Sequence, residues 1–322
     1  MKIIIQNKNI VMGILLTLIL VIFFIMWLDY NSYKNKISTI NCYTWPYNIF
    51  NFAELKKDSN NKIKVAILDT GIDLSHKCFD NLNILSINVY DDSQTDNIHG
   101  TQVAGIICSS KFLNTSKKII NNIEFLSIRI GSDNHIDVND IINGLEIALK
   151  NKVDIINICI GTYGKNDNLN DLINVAINDG IIVVCSNGND ATKQNIYPAS
   201  FDGVISVSSI DSNNNYLLNN NINNKIITCA PGERIPTGIY NKNHQMIQVN
   251  GTSASTALIT SLIISLKSIY PQINSNNILK IIKNSSQDLG KPGKDEYYGY
   301  GIIDYKKAVL YMHNKIMTAL FY

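Results

Sequence analysis

From residue 62 onward, short apolar runs alternate with longer segments of helical periodicity, and this alternation constrains the fold more than any other feature of the chain. We predict strands over residues 63–68, 123–128, 153–158, 181–185 and 204–207. Helices are predicted over residues 101–108, 138–150 and 169–178. Such alternation is typical of a mostly parallel sheet covered by helices on both faces. The predicted fold class is therefore α/β.

The chain has 322 residues and a net charge of +2, which is long enough for one large α/β domain with a sizeable core. We predict one domain over residues 43–312, followed by a C-terminal tail over 313–322. Basic runs, zinc-ligand spacings and nucleotide-binding signatures are all absent from the sequence. Nucleic acid is therefore not an expected partner.

A small-residue turn precedes a further apolar segment. Residues 251–255 read Gly-Thr-Ser-Ala-Ser, and the run over 257–266 predicts a buried helix that ends before Pro271. Ser253 then lies at the N-terminus of this helix, where unpaired N–H groups and the helix dipole favour negative charge. An oxyanion formed by serine attack on a carbonyl is one such charge. Serine and threonine are also ordinary helix caps, so this segment alone is ambiguous.

Further polar residues lie at the ends of predicted elements. Asp69 ends the first strand, His99 precedes a small-residue helix, and an Asn-Gly-Asn sequence with Asn187 and Asn189 follows another strand. In a parallel α/β sheet, function gathers at the carboxyl ends of the strands. An acid, a base and a serine in these positions indicate a nucleophilic site, with an asparagine amide nearby as a donor.

Several sequence blocks resemble those of the subtilisin-like serine peptidases, the subtilases. The three strongest blocks are VAILDTGID at 65–73, HGTQVAG at 99–105 and NGTSAS at 250–255. Further similar segments lie at 157–161, 186–189, 197–199 and 299–304. They occur in the family's order and spacing from about residue 44 to residue 309. The resemblance implies the three-layer fold of the family.

The resemblance also implies a role for each catalytic position. Ser253 would attack the scissile carbonyl, His99 would accept its proton, and Asp69 would hold the imidazole tautomer. Asn189 matches the family's oxyanion asparagine, which acts together with the Ser253 backbone N–H. Gln102 stands where the family usually has a second histidine, and this departure removes no catalytic group.

Substrate recognition is implied by the same resemblance. Cys159 and Gly161 match the segment that pairs with an extended substrate as an added strand. Ile196 lies where the family places the floor of the S1 pocket, which predicts small or medium apolar P1 side chains rather than arginine or large aromatics. Asn187 is expected to face the S1 wall. The predicted substrate is a peptide or protein.

No cofactor or metal is expected. Cys78 stands where many subtilases carry a calcium-binding aspartate, so that calcium site is predicted to be lost. The six cysteines are Cys42, Cys78, Cys108, Cys159, Cys185 and Cys229. Three of these lie in apolar runs, where a free cysteine acts as a small hydrophobe. The sequence therefore assigns no disulfide pairing and leaves the disulfide state of the six cysteines open.

An unbroken apolar stretch over residues 10–28 is long enough to cross a membrane once. We predict a cytoplasmic tail over 1–9, a transmembrane signal-anchor over 10–28 and a short stalk over 29–42. A cleaved secretory signal is the alternative, but no A-x-A site follows the stretch. Lysines flank it almost equally, so charge alone does not fix its orientation. With only a short segment before the stretch, we expect a single-pass protein of the bacterial cell membrane with its catalytic domain outside.

These observations predict a membrane-anchored serine endopeptidase. A leader peptide, such as that of a lanthipeptide, is one candidate substrate. The alternative is a peptide-binding pseudoprotease of the same fold, which keeps Asp69, His99 and Ser253 but no longer hydrolyses its substrate. Covalent labelling by a fluorophosphonate distinguishes the two hypotheses. A purely structural membrane protein is a third hypothesis, which the joint occurrence of the sequence blocks disfavours.

Overall fold

The computed structural model describes residues 61–90, 97–108, 122–132, 135–242 and 245–321, with isolated residues between 20 and 50. The chain divides into two units, Met1–Trp45 and Pro46–Tyr322, and the elements described below belong to the second. Most of the predicted membrane span at 10–28 and the whole predicted stalk at 29–42 lie outside the described residues.

Nine strands form the main sheet in the described part of the chain, in the order β12-β13-β9-β8-β7-β6-β1-β3-β2. The strands are β1 (Ile63–Asp69), β2 (Asn83–Asn88), β3 (Ile123–Arg129), β4 (Gly131–Ser132), β5 (His135–Ile136), β6 (Ile155–Ile158), β7 (Ile182–Ser186), β8 (Ile205–Ile210), β9 (Thr228–Pro231), β10 (Ile235–Tyr240), β11 (Met246–Val249), β12 (Ser286–Gln287) and β13 (Ile302–Ile303). The pairs β4–β5 and β10–β11 form separate two-stranded sheets. The helices are α1 (Ile98–Cys108), α2 (Val138–Lys150), α3 (Asp167–Asn178), α4 (Thr252–Ile269), α5 (Ser275–Ser285) and α6 (Tyr305–Phe321).

The centre of the sheet is parallel. β1 pairs in parallel with β3 on one side and with β6 on the other, and six of its seven residues are buried. Strands covered on both faces are continuously apolar, as these are. In this sheet only β12 runs antiparallel to its neighbour. The prediction of a mostly parallel sheet is confirmed.

Helices cover both faces. α2 and α3 pack on one face, where Leu145 and Ile173 join a core cluster with Leu68 of β1. On the other face, α4 packs against α1 and against β6, β7, β8 and β9. Among the described helices, only α4 has the length and hydropathy to cross a membrane, and 89% of it is buried in the domain. It is the central core helix.

The last described helix, α6, runs past residue 312, the predicted end of the domain. It continues without interruption from Tyr305 to Phe321. No glycine or proline in this segment stops the helix. Its start is fixed to the domain, because the Tyr305 N–H donates to the Phe50 carbonyl (2.8 Å) and the Tyr305 hydroxyl lies 2.6 Å from Ser265 Oγ.

Candidate active site

Asp69 and His99 meet where β1 ends and α1 begins. His99 Nδ1 lies 2.6 Å from Asp69 Oδ1, and the same oxygen accepts the backbone N–H of Thr70 (2.7 Å). Asp69 is 1% exposed. A carboxylate is an acceptor only, so the proton of this bond lies on Nδ1 and the lone pair of the neutral ring lies on Nε2. The carboxylate therefore fixes both the tautomer and the orientation of the imidazole.

A glycine allows α1 to approach β1 this closely. A Cβ added at Gly100 would lie 2.2 Å from the Gly71 carbonyl oxygen and 3.1 Å from Asp69 Oδ1. The Gly100 N–H donates to Thr70 Oγ1 (3.0 Å). Any side chain at this position would therefore push His99 away from the acid.

Ser253 completes a chain of three polar side chains. It is the second residue of α4, which Gly251 precedes at φ 112°, a backbone conformation that favours glycine. Ser253 Oγ lies 3.1 Å from His99 Nε2, the ring nitrogen that carries the lone pair of the neutral ring. The residues predicted as acid, base and nucleophile are thus brought together, although 154 positions separate His99 from Ser253.

Asn189 lies beside the first turn of α4. Its Oδ1 accepts both the backbone N–H of Thr252 (2.9 Å) and the Thr252 hydroxyl (3.1 Å). With the oxygen held in this way, the amide Nδ2 directs its hydrogens away from Thr252. The Ser253 N–H is a first-turn donor that has no acceptor within the helix. Both groups are suited to bind an oxyanion.

Two segments form the walls of a slot that opens at Ser253. The first wall is residues 159–163, and it reaches the serine through Cys159, whose Sγ lies 3.6 Å from the Ser253 carbonyl oxygen. The second wall is residues 188–190, and it reaches the serine through the bonds between Asn189 and Thr252. The resemblance to the subtilases implies that the P1 side chain of a peptide bound at Ser253 enters between these walls.

Ile196 fills the space between the two walls. A Cβ added at Gly161, on the first wall, would lie 2.9 Å from Ile196 Cγ1. A Cβ added at Gly188, on the second wall, would lie 3.4 Å from Ile196 Cδ1. Ile196 itself is 7% exposed. A branched apolar side chain therefore lies at the base of the slot and makes it shallow.

The structure does not support the expected position of Asn187. The residue has no exposed surface, and its Nδ2 donates to the Asn221 carbonyl (2.5 Å). Its Oδ1 accepts from Asn223 Nδ2 (2.9 Å) and from Ser206 Oγ (3.3 Å). Asn187 was predicted to face the S1 wall, but a buried amide needs hydrogen-bond partners. It finds them on β8 and in the loop that follows this strand, and not in the slot.

The described cysteines are free, and Cys42 lies outside the described residues. Burial raises the pKa of the Cys159 thiol well above its ordinary value, so the thiol is neutral beside the serine. Burial likewise raises the pKa of Cys78 to about 12. The described residues contain no group of three or more His, Cys, Asp or Glu side chains that could hold a metal ion. The loss of the calcium site stays a prediction.

Sequence reasoning missed three residues of this site. The Tyr163 hydroxyl donates to Asp190 Oδ2 across the slot, and Asn221 Nδ2 donates to the Tyr163 hydroxyl (3.2 Å). A tyrosine after Gly161 and an asparagine in a polar loop carry no pattern that sequence alone distinguishes. For Asp190, the sequence gives only weak evidence of a place in the site, namely its position directly after Asn189.

A family model described as the Subtilase family, Peptidase_S8, matches residues 60–301. The minor extracellular protease Epr of Bacillus subtilis (strain 168) is 27% identical over 250 residues. That match covers 76% of this chain but only 38% of the relative, so the chain corresponds to less than half of that protein's length.

Two further matches cover most of the length of the protein that is compared with this chain. Subtilisin DY of Bacillus licheniformis is 28% identical over 256 residues, which span 76% of this chain and 90% of the relative. A crystal structure described as a lanthipeptide protease superposes with a TM-score of 0.71 at 21% identity. It covers 84% of this chain and 95% of its own, and at this identity it supports the fold alone.

Proposed function

The chain belongs to the subtilase family of subtilisin-type serine endopeptidases, and on that premise we propose that it hydrolyses peptide bonds through Ser253, His99 and Asp69. The observation that carries the proposal is the continuous chain of contacts, 2.6 Å from acid to imidazole and 3.1 Å from imidazole to serine. These distances suit proton transfer without rearrangement.

The reaction follows from these positions. Ser253 Oγ attacks the scissile carbonyl while His99 Nε2 takes its proton, and Asp69 stabilises the imidazolium that forms. The tetrahedral oxyanion accepts hydrogen bonds from Asn189 Nδ2 and the Ser253 N–H. The imidazolium then protonates the leaving amine, which leaves an acyl-enzyme. A water molecule, activated by the same His99, hydrolyses the ester and regenerates the serine.

The slot supports a restricted P1 preference. Because Ile196 contacts both walls, the space left for a P1 side chain is short, and small apolar residues such as alanine fit it best. Gly161 and Cys159 lie on the first wall, where an extended peptide would add as a strand. A peptide with small residues at its cleavage site is therefore the proposed substrate.

A leader peptide is our proposed physiological substrate, and the membrane surface our proposed location. One solved structure of the same fold is described as a lanthipeptide protease, and the apolar stretch over 10–28 has the length of one membrane crossing. Full-length protein should stay in the membrane fraction, with the domain reached by protease added to intact cells. Recovery of a soluble exported form that starts near residue 30 would indicate a cleaved signal instead.

The test of the enzymatic proposal is covalent labelling with a fluorophosphonate. Wild-type protein should be labelled and should also cleave peptide anilides with alanine at P1, whereas Ser253→Ala should do neither. A folded wild-type protein that is neither labelled nor cleaves any member of a P1 library would favour the alternative, a peptide-binding pseudoprotease of the same fold.

A further inference from the structure

One contact crosses the slot between its two walls. The Tyr163 hydroxyl donates to Asp190 Oδ2, and this bond joins the far end of the first wall to the far end of the second. Tyr163 is two residues beyond Gly161, and Asp190 is two residues beyond Gly188. The two glycines lie against Ile196, so the Tyr163–Asp190 bond spans the same gap that Ile196 fills below.

The bond lies on the solvent side of the slot. Tyr163 is 41% exposed, whereas Ile196 is 7% exposed. The slot therefore has a buried base formed by an apolar side chain and an outer end that a hydrogen bond closes. Packing fixes the base of the slot, and a single hydrogen bond to a charged acceptor holds its outer end.

Asn221 holds both partners of the bond in place. Its Nδ2 donates to the Tyr163 hydroxyl (3.2 Å), and its Oδ1 accepts the backbone N–H of Asp190 (3.0 Å) and, at 3.4 Å, that of Thr192. Asn221 has no exposed surface, and its own N–H donates to the Gly188 carbonyl (3.1 Å). One buried amide thus fixes the second wall and aims the phenol at the carboxylate.

We propose that Tyr163 and Asp190 form a latch that closes the outer end of the specificity slot and so restricts the P1 residue to small side chains. The inference rests on the proposed function, because P1 is defined by cleavage at Ser253. It adds a second determinant to Ile196. The base limits how deep a P1 side chain reaches, and the latch limits how far that side chain extends along the slot.

The protonation states of the two groups agree with this role. Burial, together with the hydrogen bond to Asp190, raises the pKa of the Tyr163 phenol. The phenol therefore keeps its proton at neutral pH and donates it to the carboxylate. A charged acceptor makes this bond stronger than one between neutral groups.

The experiment compares peptide anilides that differ only at P1, with Ala, Leu, Phe or Arg, and measures kcat/KM for each. Tyr163→Phe keeps the ring but removes the donor, and Asp190→Ala removes the acceptor. Each should raise the ratio of kcat/KM for Leu to that for Ala about fivefold or more. The double variant should show no greater change than either single one, because both break the same contact.

Matched controls make the result specific. Tyr311→Phe, on α6, should leave the ratio unchanged. Because the ratio is taken on one preparation, loss of folded protein cancels from it. An unchanged ratio in both single variants would overturn the latch, as would an equal fall in kcat/KM for all four substrates. The wild-type rate on the Ala substrate, abolished in Ser253→Ala, tests the proposed function separately.

Discussion

The proposed catalytic centre and the proposed specificity slot are built in different ways, although they share Ser253. Asp69, His99 and Ser253 lie at the end of a core strand and in the first turns of two core helices, so the central sheet sets their separation. The slot is formed by loop segments, and side-chain hydrogen bonds through Asn221 hold its second wall. In the proposed mechanism, catalysis therefore depends on the geometry of the sheet, and selectivity depends on contacts between loops.

The largest expected effect tests the catalytic side of this comparison. Ser253→Ala and His99→Ala should each lower kcat by about 10⁴-fold or more, because the members of the chain act as a unit. The double variant should be no worse than either single one. Steady-state kinetics on the Ala P1 anilide measures this, with circular dichroism to show that the variants are folded. Turnover by Ser253→Ala at more than a residual rate would refute the mechanism.

The next effect belongs to the oxyanion donor. Asn189→Ala should lower kcat by about 10²–10³-fold with little change in KM, because the charge exists only after attack. Thr252→Ala removes one of the two donors that hold Asn189 Oδ1 and should give a smaller fall of the same kind. A change confined to KM in Asn189→Ala would instead place this residue in substrate binding.

A graded series at Ile196 tests the base of the slot. Ile196→Val should raise kcat/KM for the Phe P1 substrate relative to the Ala substrate slightly. Ile196→Gly should raise the same ratio by about 10- to 100-fold, because it opens more space between the walls. Activity on the Ala substrate reports whether the site stays intact. A dominant preference for Arg at P1 in the wild-type enzyme would contradict the shallow slot.

Asn187 provides the contrast within one sequence motif. Asn187→Ala removes the partners of three buried polar groups, so the free energy of unfolding should fall by about 1–3 kcal/mol, which lowers Tm by several degrees. The ratio of kcat/KM for the Leu P1 substrate to that for the Ala P1 substrate should stay unchanged. Thermal unfolding beside the exposed control Asn224→Ala measures the first effect. A change in P1 preference without any loss of stability would indicate that Asn187 lines the S1 wall after all.

The smallest effect is expected at Cys159. Its raised pKa keeps the thiol neutral, so iodoacetamide at neutral pH should inactivate the enzyme only slowly. Cys159→Ser keeps a donor near Asn157 Oδ1 and the Ser253 carbonyl oxygen, the two groups that the thiol contacts. The rate on the Ala substrate should then change by less than about fivefold. Rapid inactivation of wild type but not of the variant would indicate a reactive thiolate.

The choice of Asn189 over Asn187 came from the resemblance to the subtilases. The sequence by itself determined the α/β class, the strands and helices around the site, and the positions of Asp69, His99 and Ser253 at strand and helix ends. These features follow from local pattern, because buried parallel strands are continuously apolar and polar residues at strand and helix ends follow turn and cap chemistry. For the same reason, helix α2 begins and ends at the predicted residues, Val138–Lys150.

Only the tertiary structure decided the rest. Asn187 and Asn189 share one short motif, yet the first is buried against β8 and a neighbouring loop, whereas the second lies beside the serine. Tyr163, Asp190 and Asn221 meet although 58 positions separate Tyr163 from Asn221, and α6 extends beyond the predicted boundary. Local periodicity carries no information about which distant loop a polar side chain meets, because packing of the whole domain sets that pairing.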